Sequence, residues 1–165
     1  MTGAGSPRVS SSSRLAFVGL GSNLGDRRAQ IEAALAWLDN HPRIEVSRAT
    51  RVVETAPWGL EDQPRFLNAV AELRTSLSPS ELLAELLRAE EELGRKRGGR
   101  PRWGPREIDM DILFFEDLVL NTERLTIPHP RLTERPFVIA QVLDLAPDLI
   151  HPAHHVPLSE FAKST

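Results

Sequence analysis

The spacing of apolar positions changes along this chain, and each change marks an element. Arg14 to Leu20 reads as a first strand, and "GSNLG" after it as a tight turn, with Gly21 and Gly25 as its turn residues. Beyond Asp26, a suitable N-cap, Ile31, Ala34, Leu35 and Leu38 recur at helical spacing until His41-Pro42 stops them. Two extended segments follow, about 44–54 and 67–76. In the second, Leu67, Ala69, Ala71 and Leu73 alternate with Asn68, Glu72 and Arg74, so one face is wet or lines a site. Ser78-Pro79-Ser80-Glu81 is a capping box with proline at the first helical position, and Leu82, Leu83, Leu86, Leu87 and Leu93 form an apolar stripe ending near Gly94. A strand then spans "IDMDILFF", and Pro136 to Leu145 reads as a third helix.

The order β-α-β-β-α-β predicts an α+β fold of the ferredoxin-like kind, an antiparallel sheet with helices on one face and the other free for a ligand cleft. The chain has 165 residues, enough for one domain with a core of its own. The expected division is a flexible tail over residues 1–13, with five serines and two glycines, and a single domain over 14–165. No internal repeat is visible.

Composition removes several classes of function. Cysteine is absent, which excludes disulfides and thiolate zinc sites. No apolar run approaches a membrane span or a signal peptide, so the expectation is a cytoplasmic protein with no membrane partner. A net charge of −3 gives no global attraction to nucleic acid. Charge is nevertheless uneven. "RKRGGRPRWGPR", Arg95 to Arg106, holds six of the chain's 20 basic residues and no acid, on a segment interrupted by glycine and proline. It reads as a cationic loop, either simply solvated or facing an anion.

That loop leads into Asp109 and Asp111. Alternation along a strand places Asp109, Asp111, Leu113 and Phe115 on one side and Ile108, Met110, Ile112 and Phe114 on the other. The two carboxylates then stand about 7 Å apart at Cα. At a strand end open to water both would be tolerated. In a cleft they would repel unless a cation lay between them, and magnesium suits a site of one or two carboxylates completed by water and phosphate oxygens. Acids beside arginines are what polyphosphate transfer requires. Arg124, His129, Arg131 and Arg135 follow in "RLTIPHPRLTERPF". The grip is not a P-loop, since G-x-x-x-x-G-K-[ST] is missing, and "GLGSNLG" has Leu24 where a dinucleotide fingerprint needs glycine.

Taken together and in order, "GLGSNLGDR", "ETAPWG", "DQPRFLNAV", "RWGPREIDMDIL" and "IPHPRLTERPFV" resemble the 6-hydroxymethyl-7,8-dihydropterin pyrophosphokinase family of folate biosynthesis, from Leu15 to about Pro152. The resemblance implies transfer of diphosphate from ATP to the hydroxymethyl oxygen of the pterin, releasing AMP. It implies ATP as co-substrate, two magnesium ions on Asp109 and Asp111, and a monomer acting on small molecules. Arg97, Arg106, His129 and Arg135 resemble triphosphate ligands, with Arg95 beside them; Arg97 and Arg106 join the aspartates as catalytic residues. Glu90, Ile112, Arg124 and Thr126 resemble parts of the nucleotide pocket. For the pterin, the resemblance points to Asn68 reading the ring edge, Phe66 and Phe137 sandwiching it, backbone of Thr55, Ala56 and Pro57, and Trp103 closing over the site. Phe66 replaces a frequent tyrosine, Pro130 a frequent aromatic, and "GGRP" lengthens the basic loop.

On the residues alone, Phe66 and Phe137 also fit a plain core, and His151, His154 and His155 lack the acid or cysteine that would make them a metal site. A ferredoxin-like RNA-binding module would stack bases on sheet aromatics, but aromatics are 5% of this chain and tyrosine is absent. A regulatory domain of the same topology would have no use for the acid pair beside the arginine loop.

Overall fold

The computed structural model describes residues 13–55, 65–94 and 108–162. The N-terminal tail, Ala56 and Pro57, and the whole basic segment with Arg95, Arg97, Trp103 and Arg106 lie outside the described residues.

Strand β1 (Arg14–Ser22) is followed by α1 (Arg27–Asp39), β2 (Ile44–Ala49), β3 (Val53–Thr55), β4 (Phe66–Thr75), α2 (Pro79–Gly94) and β5 (Asp109–Phe115). The sheet order is β2-β4-β1-β5, with β3 also pairing β4, and the pairings are antiparallel. This is the expected ferredoxin-like arrangement, with the extended segment expected over 44–54 divided into β2 and β3 where Thr50 to Val52 leave the ladder. Two short hairpins follow, β6 (Leu120–Asn121) with β7 (Thr126–Ile127), and β8 (Ile150–His151) with β9 (Val156–Pro157). Helices α3 (Pro136–Leu145) and α4 (Ser159–Ala162) complete the described chain.

Local chemistry explains the helix starts. The Asp26 carboxylate accepts from Ala29 N at 3.1 Å, taking up one of the free amides of the first turn of α1. Ser78 Oγ accepts from Glu81 N at 3.1 Å while Glu81 Oε1 accepts from Ser78 N at 2.9 Å, the reciprocal pair the sequence predicts. The two helices are tied together by Trp37 Nε1, which donates to Glu92 at 2.8 Å, and by His41 with Glu85 at 3.0 Å.

The core has two parts, one on each sheet face. Ala16, Val18, Leu20, Met110, Ile112 and Phe115 pack with Ile31, Ala34 and Leu38 of α1 and Leu82, Leu86 and Ala89 of α2. Leu87, expected in the α2 stripe, is instead 49% exposed, because Ala89 takes the inward position. On the other face Phe17, Val70, Leu113 and Phe114 pack with Leu132 and with Val138, Ile139, Val142 and Leu145 of α3. Helices α1 and α2 thus cover one face, and α3 covers part of the face left open by the simple topology.

Two readings of local register change. Strand β1 runs on through Ser22, so Gly21 is a strand residue, while Gly25, at φ 71°, is the true turn glycine. In β5 the register against β1 shifts: Phe17 pairs with Phe114 but Val18 with Ile112, leaving Leu113 as an extra residue. The bulge reverses alternation, so Phe114 joins Leu113 on the α3 side and Phe115 turns to the α1/α2 side.

Candidate active site

The three central strands place the candidate residues in rows. Gly21 of β1 pairs with Asn68 on one side and Asp109 on the other; Gly19 pairs with Val70 and Asp111. Residues paired across strands share a face, so both rows lie on the α3 side of the sheet. The two glycines leave the middle of that face without side chains. Asn68 and Asp109 therefore stand about 10 Å apart, two interstrand spacings, with Leu113 against Gly19 and with Asn68 and Phe66 against Gly21.

At the β4 end the amide of Asn68 is 9% exposed, and its Nδ2 donates to Thr55 Oγ1 at 2.6 Å. This bond orients the amide: Oδ1 lies 3.1 Å from where a Cβ on Gly21 would stand, and Phe66 Cδ1 lies 3.6 Å from the same point. Phe66 and Phe137 are both half-buried, Phe66 alternating onto the Asn68 face and Phe137 at the start of α3 against the second core. The face of β4 read as wet or site-lining is buried at Asn68 and Val70 and exposed only at Arg74.

At the β5 end Asp109 is half-buried and Asp111 exposed. The carbonyl of the bulged Leu113 accepts from His129 N at 3.0 Å, which docks the following loop beside the acids. A 3₁₀ turn at Leu132–Glu134, anchored by fully buried Leu132, then carries the chain from His129 to Arg135. Burial holds the His129 imidazole below its ordinary pKa; Asp111 opposes this, and Arg135 and Arg131 add to it. His129 Nδ1 accepts from Arg131 N at 3.2 Å, so the neutral ring carries its proton on Nε2 as a free donor. The Arg135 guanidinium, lowered chiefly by burial, feels both Asp111 and Asp109. Its Nε is buried without a partner among the described residues, and its Cζ lies 5.4 Å from the Phe137 ring centroid.

The remaining predicted residues sit around the outer edge of β5. Glu90 reaches it from α2, Oε2 accepting from Met110 N at 2.7 Å, between the two aspartates. Arg124 is exposed in the β6–β7 turn and Thr126 half-buried in β7. Ile112, 4% exposed, faces the α1/α2 core, on the side of the sheet away from the acids.

The donor set limits which metal fits. Among the described residues no three histidine, cysteine or acidic side chains gather as a cation site. Two carboxylates at an open strand end suit magnesium, which keeps water and phosphate oxygens as ligands, and do not suit an all-protein cage.

Residues 17–147 match the family described as 7,8-dihydro-6-hydroxymethylpterin-pyrophosphokinase (HPPK). The chain belongs to the HPPK family. It is 44% identical over 145 residues to a 2-amino-4-hydroxy-6-hydroxymethyldihydropteridine pyrophosphokinase of Aquifex aeolicus, covering 88% of each chain. With the enzyme of that name from Bacillus subtilis it shares 45% identity over 131 residues, 79% of this chain and 77% of the other. A crystal structure of an HPPK-DHPS protein in complex with substrates has the same fold, with a TM-score of 0.71 at 13% identity, covering 92% of this chain and 43% of that one. The chain thus spans less than half the length of that two-part protein.

Within this HPPK chain three contributors were not visible in the amino-acid pattern. The Gly19–Gly21 floor was hidden by ending β1 too early, although two glycines at alternate positions of an apolar run were a usable signal. The Leu113 bulge and Gln141 of α3, which donates to the Asn68 carbonyl at 3.0 Å, had no local signature.

Proposed function

We propose that ATP and the hydroxymethyl dihydropterin bind side by side over the Gly19–Gly21 floor, the pterin at the Asn68 end and the triphosphate at the aspartate end. Pyrophosphate transfer to 6-hydroxymethyl-7,8-dihydropterin, a step of folate biosynthesis, is the activity of this chain as an HPPK. The observation that carries the assignment of roles is the row Asn68, Gly21, Asp109 across three neighbouring strands.

With one Nδ2 hydrogen engaged by Thr55, Asn68 offers one donor and one acceptor, the complement of a heterocycle edge. Phe66 and Phe137 supply aromatic faces for a flat ring. A pterin so held directs its hydroxymethyl group toward β5. There the unpartnered Arg135 Nε and the Nε2–H of His129 are donors for phosphate oxygens. Arg95, Arg97 and Arg106, by their sequence positions, add positive charge, and Trp103 with its loop excludes water. Magnesium, two ions by family resemblance, would be held by Asp109 and Asp111 and would supply charge neutralisation of the phosphates and Lewis acidity. The hydroxymethyl oxygen attacks the β-phosphorus in line, the bond to the α-phosphate oxygen breaks, and AMP leaves. Asp109 or Asp111, in neighbouring rows, accepts the hydroxyl proton.

Incubation with ATP, magnesium and the hydroxymethyl dihydropterin tests the reading. AMP and diphosphorylated pterin should appear in equal amounts. Release of ADP would mean single phosphoryl transfer, and absence of both products would reduce the cleft to a binding site.

A further inference from the structure

Gln141 is a polar side chain in an apolar row. Its neighbours on α3, Val138, Ile139, Val142 and Leu145, are all buried, and Gln141 itself is 4% exposed. Its Nε2 donates to the carbonyl of Asn68 at 3.0 Å and to that of Arg51 at 3.3 Å. Its Oε1 is buried with no partner among the described residues. A buried amide with an unsatisfied oxygen contributes little or nothing to stability compared with an apolar residue of the same shape. What the residue provides must be sought in the two carbonyls it holds.

Those carbonyls lie at the break between β2 and β3. Alongside Thr50 the β4 backbone is completed by a side chain as well as by main chain: Val70 N donates to Thr50 Oγ1, and Thr50 N to Val70 O, both at 2.9 Å. One step further along, Asn68 pairs with Val53 of β3, and Gln141 adds a side-chain donor to its carbonyl. The bridge joins α3, β4 and the Arg51 peptide, four residues before Thr55, whose hydroxyl holds the Asn68 amide. Gln141 thus touches the Asn68 backbone directly and the chain leading to Thr55 at Arg51.

We infer that Gln141 is a positioning residue for pterin recognition, setting the Asn68 amide through the sheet break. This rests on the assignment of Asn68 to the pterin edge. Gln141→Met keeps the volume and removes the donor. It should raise KM for the pterin roughly fivefold or more, leave KM for ATP within about twofold, and leave Tm unchanged or higher. Gln141→Glu supplies a donor only while protonated, and once ionised it sets an anion against two carbonyls. Its pterin KM relative to the parent protein should therefore rise with pH. Asn68→Ala, measured in parallel, separates the two claims. If Asn68→Ala raises the pterin KM and Gln141→Met does not, the inference about Gln141 fails alone. An equal rise in both KM values for Gln141→Met, or a pH-independent ratio for Gln141→Glu, also overturns it, since general loosening would then account for the effect. If Asn68→Ala leaves pterin KM unchanged, the pterin assignment falls and takes this inference with it.

Discussion

Gly21→Ala is the substitution that separates recognition from stability most cleanly. Gly21 sits in β1 between Asn68 and Asp109 and has no left-handed backbone, so alanine can adopt its conformation. Its Cβ would stand 3.1 Å from Asn68 Oδ1, whereas ordinary contact begins at 3.4 Å. The amide must yield by a few tenths of an ångström, and the 2.6 Å bond from Nδ2 to Thr55 leaves little slack. Displacing an amide that makes one or two hydrogen bonds to a ring edge costs about 1–2 kcal/mol of binding, a factor of roughly 5–30 in pterin affinity. In the other direction, replacing glycine within a strand gains about 0.5–1 kcal/mol from the unfolded chain, offset in part by the close contact. Tm should therefore stay within about 4 °C of the parent. Pterin affinity by equilibrium titration and Tm by calorimetry are the two readouts. Gly19→Ala, whose Cβ would meet Leu113 at 3.5 Å, an ordinary contact, should weaken pterin less. Unchanged pterin affinity in Gly21→Ala, or a loss matched by a large fall in Tm, would refute the placement of the ring edge over this row.

Asp109→Asn and Asp111→Asn should each lower kcat by more than about a hundredfold with circular dichroism unchanged, since even outer partners of metal ligands are worth about 10–100-fold; a near-normal rate from either removes the metal role. Arg97→Ala and Trp103→Ala should reduce the single-turnover rate more than they reduce pterin affinity, and the reverse order would contradict a role in phosphate transfer and closure. His151 is buried, its Nδ1 accepting from Ala153 N and His154 N at 3.2 Å each, and burial, aided by His154, holds its pKa below the ordinary 6.5. The unfolded chain thus binds the proton more readily, so this contribution to stability is full above about pH 6.5 and is lost as pH falls toward the folded value. Stability curves of His151→Asn, which keeps an acceptor, should be flatter in that window; identical slopes would show that another group titrates.

Most of the secondary structure was legible because it is encoded locally. The Asp26 cap, the Ser78–Glu81 box and the apolar faces of α1 and α3 each depend on residues within one or two turns of each other. Errors arose where a partner strand or helix decides. Gly21 reads as a turn residue because glycine punctuates turns, yet here its missing side chain makes room for Asn68 and Phe66. Phe114 and Phe115 changed faces because the ladder to β1 skips Leu113. Leu87 belonged to the leucine pattern but is turned away from the core.

By itself the amino-acid sequence determined the order of elements, the family through its ordered motifs, and which charged and amide side chains are available for the reaction. Those properties depend on residue identity and short-range spacing. Only the tertiary structure decided that Asn68, Gly21 and Asp109 lie in one row, that a bulge brings His129 beside Asp111, and that Gln141 secures the carbonyl behind Asn68. These relations join residues separated by up to about a hundred positions, and they follow from strand register and helix docking, which the whole core sets collectively.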